Sequence, residues 1–167
     1  MRSLRSTNPS SRGRRGFTLI ELVITLALLG LLAMLAAPMT EVAYQRSKEQ
    51  ALRSALREIR SALDAYRHAV DQGQIARRIG DSGYPPSLDV LVTGVANASD
   101  PKGGHLYFLR RLPRDPLFAD ANVPAAASWG QRSYASPPDE PRDGDDVFDV
   151  YSRATGTALD GSHYRDW

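Results

Sequence analysis

The sequence predicts an α+β protein: a long N-terminal α-helix, membrane-spanning in its first half and amphipathic in its second, packed on a small C-terminal antiparallel β-sheet head. Three observations predict it. Residues 17–37 form an apolar run broken by one carboxylate, apolar residues recur at helical spacing from Leu52 to Val70, and from Gly80 onward Gly, Pro, Asp and Ser cut the chain into short apolar pieces. A chain of 167 residues has room for one modest domain and an appendage.

The formal net charge of +2 averages unlike segments. Arg2, Arg5, Arg12, Arg14 and Arg15 lie in the first 16 residues, which hold no acid, and leave 16 basic against 19 acidic residues in the rest of the chain. From Gly80 onward there are 8 basic and 13 acidic residues, so the head offers no basic face to a phosphate backbone and no nucleic acid is expected as a partner. The chain has no cysteine, which removes disulfides, thiolate catalysis and Cys-ligated zinc together.

Residues 1–13 are rich in Ser, Arg, Asn, Pro and Gly and read as a solvated leader, kept on the cytoplasmic side by its arginines. The run from Phe17 to Ala37, at about 1.5 Å per residue, matches the roughly 30 Å hydrocarbon core of a bilayer. Glu21 is the anomaly, because a carboxylate in lipid costs a few kcal/mol and marks a specific partner. A secretory signal ending at Leu35-Ala36-Ala37 is the competing expectation. Pro38 just after that cut and Glu21 inside the apolar region count against it. Pro38 falls within the continuing helical pattern, where its missing N–H and its ring predict a kink or local unwinding, and Gly30 loosens the same segment.

Leu52, Leu56, Ile59, Leu63, Tyr66 and Val70 then recur every three or four residues, with Arg53, Arg57, Glu58, Arg60, Asp64 and Arg67 on the other faces. This is an amphipathic helix whose stripe is expected to pack on the protein's own sheet, since about three heptads are short for a coiled coil. Glu49 and Arg53 are spaced for an i, i+4 pair. The helix is expected to end near Gly73, or to run weakly through Ile75–Ile79 to Gly80.

In the head, Leu88–Val92 suggests a short helix capped by Ser87. Strands are expected over Trp129–Ala135 and Val147–Ser152, the second with Val147, Asp149 and Tyr151 alternating against Phe148 and Val150. They would pair antiparallel across an irregular, acid-rich loop, residues 136–146. Gly80-Asp81-Ser82-Gly83 spells a fragment seen around protease serine nucleophiles, but only His68, His105 and His163 could serve as bases, and about 85 following residues cannot build two barrels, so a turn is expected. Those histidines show no metal-ligand spacing, Asn97-Ala98-Ser99 is a short glycosylation-type match, and no phosphate-binding glycine loop is present. Neither a catalytic site nor an enzyme is expected.

Gly16-Phe17-Thr18-Leu19-Ile20-Glu21, preceded by Arg14-Arg15 and followed by the apolar run, resembles the class III leader of type IV pilins and type II secretion pseudopilins. Tyr107–Pro116, Phe148–Ser152, Gly83-Tyr84-Pro85 and Trp167 are similar to segments of the major pseudopilin and extend the resemblance over most of the mature chain. The resemblance implies a pilin-like fold with a cleaved leader (1–16), a transmembrane and assembly helix (17–38), an amphipathic continuation (39–79) and a periplasmic α+β head (80–167). It also implies that a prepilin peptidase cuts between Gly16 and Phe17 and methylates the new amine of Phe17. The expected function is that of a structural subunit of a type II secretion pseudopilus, anchored by a single pass in the bacterial inner membrane with its head in the periplasm. Its expected partners are further copies of itself, other pseudopilins, the prepilin peptidase and the inner-membrane secretion platform. A type IV pilin or minor pilin, and a monomeric membrane-anchored binding domain, are the alternatives.

The amine created at Phe17 is cationic, and Glu21 of a neighbouring subunit can neutralise it in a helix bundle, since paired charges cost less than lone ones where the dielectric is low. The implied assembly residues are therefore Glu21 and Pro38. Major pseudopilins also bind calcium in a long acidic loop near the C-terminus. Here Leu117-Phe118 follow Asp115-Pro116 where Trp-Gly is usual, and the tail from Arg153 to Trp167 holds only Asp160 and Asp166 as acids. Calcium takes about six to eight oxygens, so Asp160 and Asp166 with backbone carbonyls form at best a weak site; Asp143, Asp145, Asp146 and Asp149 could add oxygens, but a run of acids more often makes a solvated loop, and no cofactor is expected.

Overall fold

A computed structural model describes residues 16–167; the arginine-bearing leader before Gly16 lies outside the described residues, as do the side chains of residues 35–39, Pro38 among them. The chain divides into two compact units between Val42 and Ala43. One helix, α1 (Leu19–Asp71), begins in the first and ends in the second. Its helical assignment passes through both Gly30 and Pro38 without a break.

The amphipathic stripe predicted for the second half of α1 is the core of the larger unit. Leu52, Leu56, Ile59, Leu63, Tyr66 and Val70 are all buried, joined by Ala55, Ala62 and Ala69 on the same face. They pack with Leu88, Leu91, Leu109, Trp129, Val147, Val150, Ala158 and Tyr164 from the head, so the stripe serves the protein's own core. Each fully buried Leu or Ile here contributes on the order of 1.5–3 kcal/mol.

α1 stops because Gly73 adopts φ +72°, which a side chain resists. The Gly73 N–H donates to the Val70 carbonyl and the Gln74 N–H to the Ala69 carbonyl, the paired bonds of a Schellman ending. Ile75, just beyond, is buried in the core of the larger unit. The weak extension to Gly80 does not form, and Gly80-Asp81-Ser82-Gly83 is a turn. There the Ser82 hydroxyl accepts from the Tyr84 N–H and the Ser82 carbonyl from Arg67 Nη1.

The short helix α2 spans Val90–Thr93 rather than Leu88–Val92. Asp89 occupies its N-cap position without a side-chain capping bond, so Ser87 is not the cap. A two-residue pair follows, β1 (Val95–Ala96) antiparallel to β2 (His105–Leu106). The main pair is β3 (Trp129–Arg132) antiparallel to β4 (Asp149–Ser152), in the register Trp129↔Ser152 to Arg132↔Asp149. Both are shorter than expected. The chain leaves β3 when the Ser133 N–H turns to the Arg142 carbonyl and the Tyr134 N–H to Asp146 Oδ1. On the other side the Val147 N–H bonds to the Pro85 carbonyl, outside the ladder, so Val147 is buried with Val150 instead of sharing a face with Asp149 and Tyr151.

The architecture is the α+β arrangement expected, a long N-terminal helix with small antiparallel sheets. The membrane-spanning part of that expectation is not supported by the structure: among the described residues no helix is long and apolar enough to cross a membrane.

Candidate functional site

Gly16, Phe17 and Thr18 precede the helix, and Gly16 and Phe17 are exposed. Thr18 ends the extended segment by capping α1: its Oγ1 accepts the Glu21 N–H at 3.2 Å, and its carbonyl accepts the Leu22 N–H at 3.1 Å. Thr18-Leu19-Ile20-Glu21 therefore carries the Thr-x-x-Glu spacing of a capping box, with Glu21 three residues into the helix. The same spacing, Thr18 three residues before Glu21 at the head of an apolar run, is a helix-start signal visible in the sequence itself. It supplies a local role for Glu21, because a carboxylate in the first helical turn is stabilised by about 0.3–1 kcal/mol through the helix dipole. Among the described residues the Glu21 carboxylate has no side-chain partner.

Beyond the cap the helix is apolar on every face. Leu19, Ile20, Leu22, Val23, Ile24, Leu26, Leu28, Leu29, Leu31, Leu32 and Met34 are each 53–82 % exposed. The one hydroxyl within this stretch is satisfied internally, Thr25 Oγ1 donating to the Leu22 carbonyl at 2.9 Å. A helix with no polar face suits only lipid or a bundle of similar helices. The predicted processing and assembly residues thus share one helix start: Gly16 and Phe17 outside it, Glu21 in its first turn. Pro38 lies further along the same helix, its side chain outside the described residues.

The calcium candidates are placed differently. Asp160 Oδ1 accepts from the Ser162 N–H at 3.0 Å and the Ser162 hydroxyl at 2.6 Å, and Asp160 Oδ2 faces Arg53 Nη2 at 3.3 Å. Hydrogen bonds from the Ser162 hydroxyl and N–H, then the Arg53 charge, hold the Asp160 carboxyl below its usual value. Asp166 sits in a 3-10 turn, Tyr164–Asp166, on the rim of an open groove of about 480 Å³ with Arg153, His163 and Arg165. Asp149 is held between Arg60 at 2.8 Å and Arg132 at 3.4 Å, and Asp146 accepts the Tyr134 N–H. Among the described residues no three His, Asp or Glu side chains converge.

The pairing expected from the helix spacing is also redrawn. Glu49 does not meet Arg53: its Oε1 accepts the Leu159 N–H at 2.9 Å and the Tyr164 hydroxyl at 3.0 Å, while Arg53 goes to Asp160. His68 pairs with Gln72, His105 stacks on Tyr107, and Ser152, the groove's buried hydroxyl, donates to Asp115 Oδ2 at 2.6 Å. The groove thus offers no free serine nucleophile.

Comparison with known proteins adds to this geometry. The family described as the prokaryotic N-terminal methylation motif matches residues 11–37. Type II secretion system core protein G of Klebsiella pneumoniae is 29 % identical over 143 residues, covering 80 % of this chain and 92 % of that protein. The Dickeya chrysanthemi protein of the same name is 26 % identical over 157 residues, 91 % of this chain and 95 % of its own length. That of Aeromonas hydrophila is 30 % identical over 112 residues, 63 % and 68 % respectively. No solved structure matches the chain at comparable significance.

Proposed function

This chain belongs to the type II secretion system core protein G family, and from that premise we propose that it is a structural subunit of a type II secretion pseudopilus that polymerises through the apolar segment of α1. The observation that carries this is the exposure of that segment on all sides, from Leu19 to Met34, behind an exposed Phe17 and a Glu21 in the first turn that has no side-chain partner among the described residues. An isolated subunit gains nothing from such a helix; a fibre core or a lipid reservoir removes its apolar surface from water at about 25 cal/mol per Å².

In this proposal the prepilin peptidase cuts between Gly16 and Phe17 and methylates the Phe17 amine. Residues 17–37 are then stored in the inner membrane, with the head in the periplasm. On extraction, Glu21 of one subunit meets the Phe17 amine of the next and sets the axial register. Pro38 lets the helix unwind in the assembled fibre. The chain works with copies of itself, other pseudopilins and the inner-membrane platform, to help drive folded proteins across the outer membrane, and it performs no catalysis.

Deleting the chain and assaying two phenotypes tests this. Loss of protein secretion into the medium, restored by the intact chain, is the expected outcome. Loss of twitching with secretion unchanged would assign it to a type IV pilus instead.

A further inference from the structure

Three of the acids that calcium would need are committed elsewhere in this chain. Asp160, Asp149 and Asp146 each already accept from donors of their own chain, and a guanidinium 3.3 Å from Asp160 would repel a divalent cation. A calcium ion takes about six to eight oxygens, which these residues do not assemble. The tail is nevertheless well held, and four of the side chains that hold it come from α1.

Arg60 stands at the centre. Its Nε donates to Asp149 Oδ1 at 2.8 Å, and its Nη2 donates to the Val150 carbonyl at 3.1 Å and to the Trp167 main-chain oxygen at 2.7 Å. One guanidinium thus ties β4 and the last residue to the helix, using the planar fork of donors that makes arginine suited to several oxygens at once. Two turns earlier, Arg53 lies over the Trp167 ring at 3.9 Å and faces Asp160. Further up, the buried Glu49 carboxylate takes the Leu159 N–H and the Tyr164 hydroxyl, and Gln45 Nε2 donates to the same hydroxyl at 3.1 Å. Within the tail, Trp167 Nε1 donates to Ser162 Oγ at 2.7 Å and the Trp167 ring packs edge-on to Tyr164.

We propose that residues 153–167 are latched to α1 by Gln45, Glu49, Arg53 and Arg60 in the place of a bound metal, so that the head folds and stays folded without calcium. The positive charge that a cation would bring to the tail is supplied by two guanidiniums covalently fixed to the helix.

Thermal unfolding of the full chain in detergent micelles, with a chelator or with added calcium chloride, tests the latch. The expected result is a midpoint unchanged by either, together with a fall of about 5 °C or more in Arg60→Met that calcium does not restore and Arg60→Lys restores in part. Should Arg60→Met fail to fold, Arg53→Met serves. Quenching of tryptophan fluorescence by acrylamide should rise in it, since Trp129 is buried and Trp167 is the only other tryptophan. A midpoint that falls on chelation and returns with calcium overturns the proposal, as does a tail equally protected in the wild-type chain and in Arg53→Met.

Discussion

The Ser152 hydroxyl donates a 2.6 Å hydrogen bond to Asp115 Oδ2 in the interior of the head, where neither residue is exposed by more than 1 %. Asp115 is otherwise engaged along the chain, its Oδ1 accepting the Leu117 N–H at 2.8 Å and its own N–H donating to Ser128 Oγ at 3.1 Å. Trp129 Nε1 donates to the Pro113 carbonyl beside it. The Leu112-Pro113-Arg114-Asp115-Pro116 segment is thus pinned to both strands of the main pair. Ser152→Ala leaves a buried carboxylate oxygen without its donor, and the expected loss is about 1–3 kcal/mol of stability in urea denaturation. A change below 0.5 kcal/mol, about the scatter of a neutral surface substitution, would show that the bond is not a stabilising one.

Two glycines separate backbone strain from crowding. At Gly73 a Cβ would meet nothing within 4 Å, so Gly73→Ala costs only the left-handed backbone, about 1 kcal/mol, and Gly73→Asn costs less. At Gly83, φ is +87° and a Cβ would also meet Arg67 Nη1, the donor to the Ser82 carbonyl, so Gly83→Ala should cost more than Gly73→Ala. Equilibrium unfolding of the two variants side by side checks the order.

The Asp160 carboxyl, held below its usual value by Ser162 and Arg53, stabilises the fold in its ionised form. That contribution is complete above the unfolded-state value, near 3.8, and is lost as pH falls through the lower folded-state value. Acidification below about pH 4 should therefore loosen the tail and raise acrylamide quenching of Trp167, and Asp160→Asn should show the looser tail at neutral pH with a flatter acid limb.

Processing leaves a mark in mass. The subunit taken from membranes of cells with the prepilin peptidase should lack residues 1–16 and carry one methyl group on Phe17; without the peptidase it should be intact. A chain beginning at Pro38 would instead be a signal-peptidase product.

What the sequence made legible follows from how local each signal is. The stripe from Leu52 to Val70 and the stop at Gly73 are set by neighbours within a few residues, the β3–β4 pair by strand composition on either side of one loop, and each appears in the structure. Glu49, Arg53 and Arg60 have partners 89 to 115 residues away, where no spacing rule reaches, and at helix spacing Glu49 meets Gln45 rather than Arg53. Ser87 failed as a cap because the chain turns into α2 two residues later than its apolar run begins. Val147 left the strand alternation because Pro85, a distant acceptor, draws its N–H out of the ladder. The Thr18 cap is a local signal, its Oγ1 meeting the Glu21 N–H three residues on, and needs no distant partner.

Everything proposed for α1 turns on Glu21, and the most direct measurement is the recovery of sedimentable fibres from cells producing either the wild-type chain or Glu21→Leu, each shown by mass to begin at Phe17. Fibres from the wild type and none from the equally processed Glu21→Leu are the expected result. Fibres in equal amount from both would leave Glu21 as a helix-capping carboxylate and contradict the assembly account.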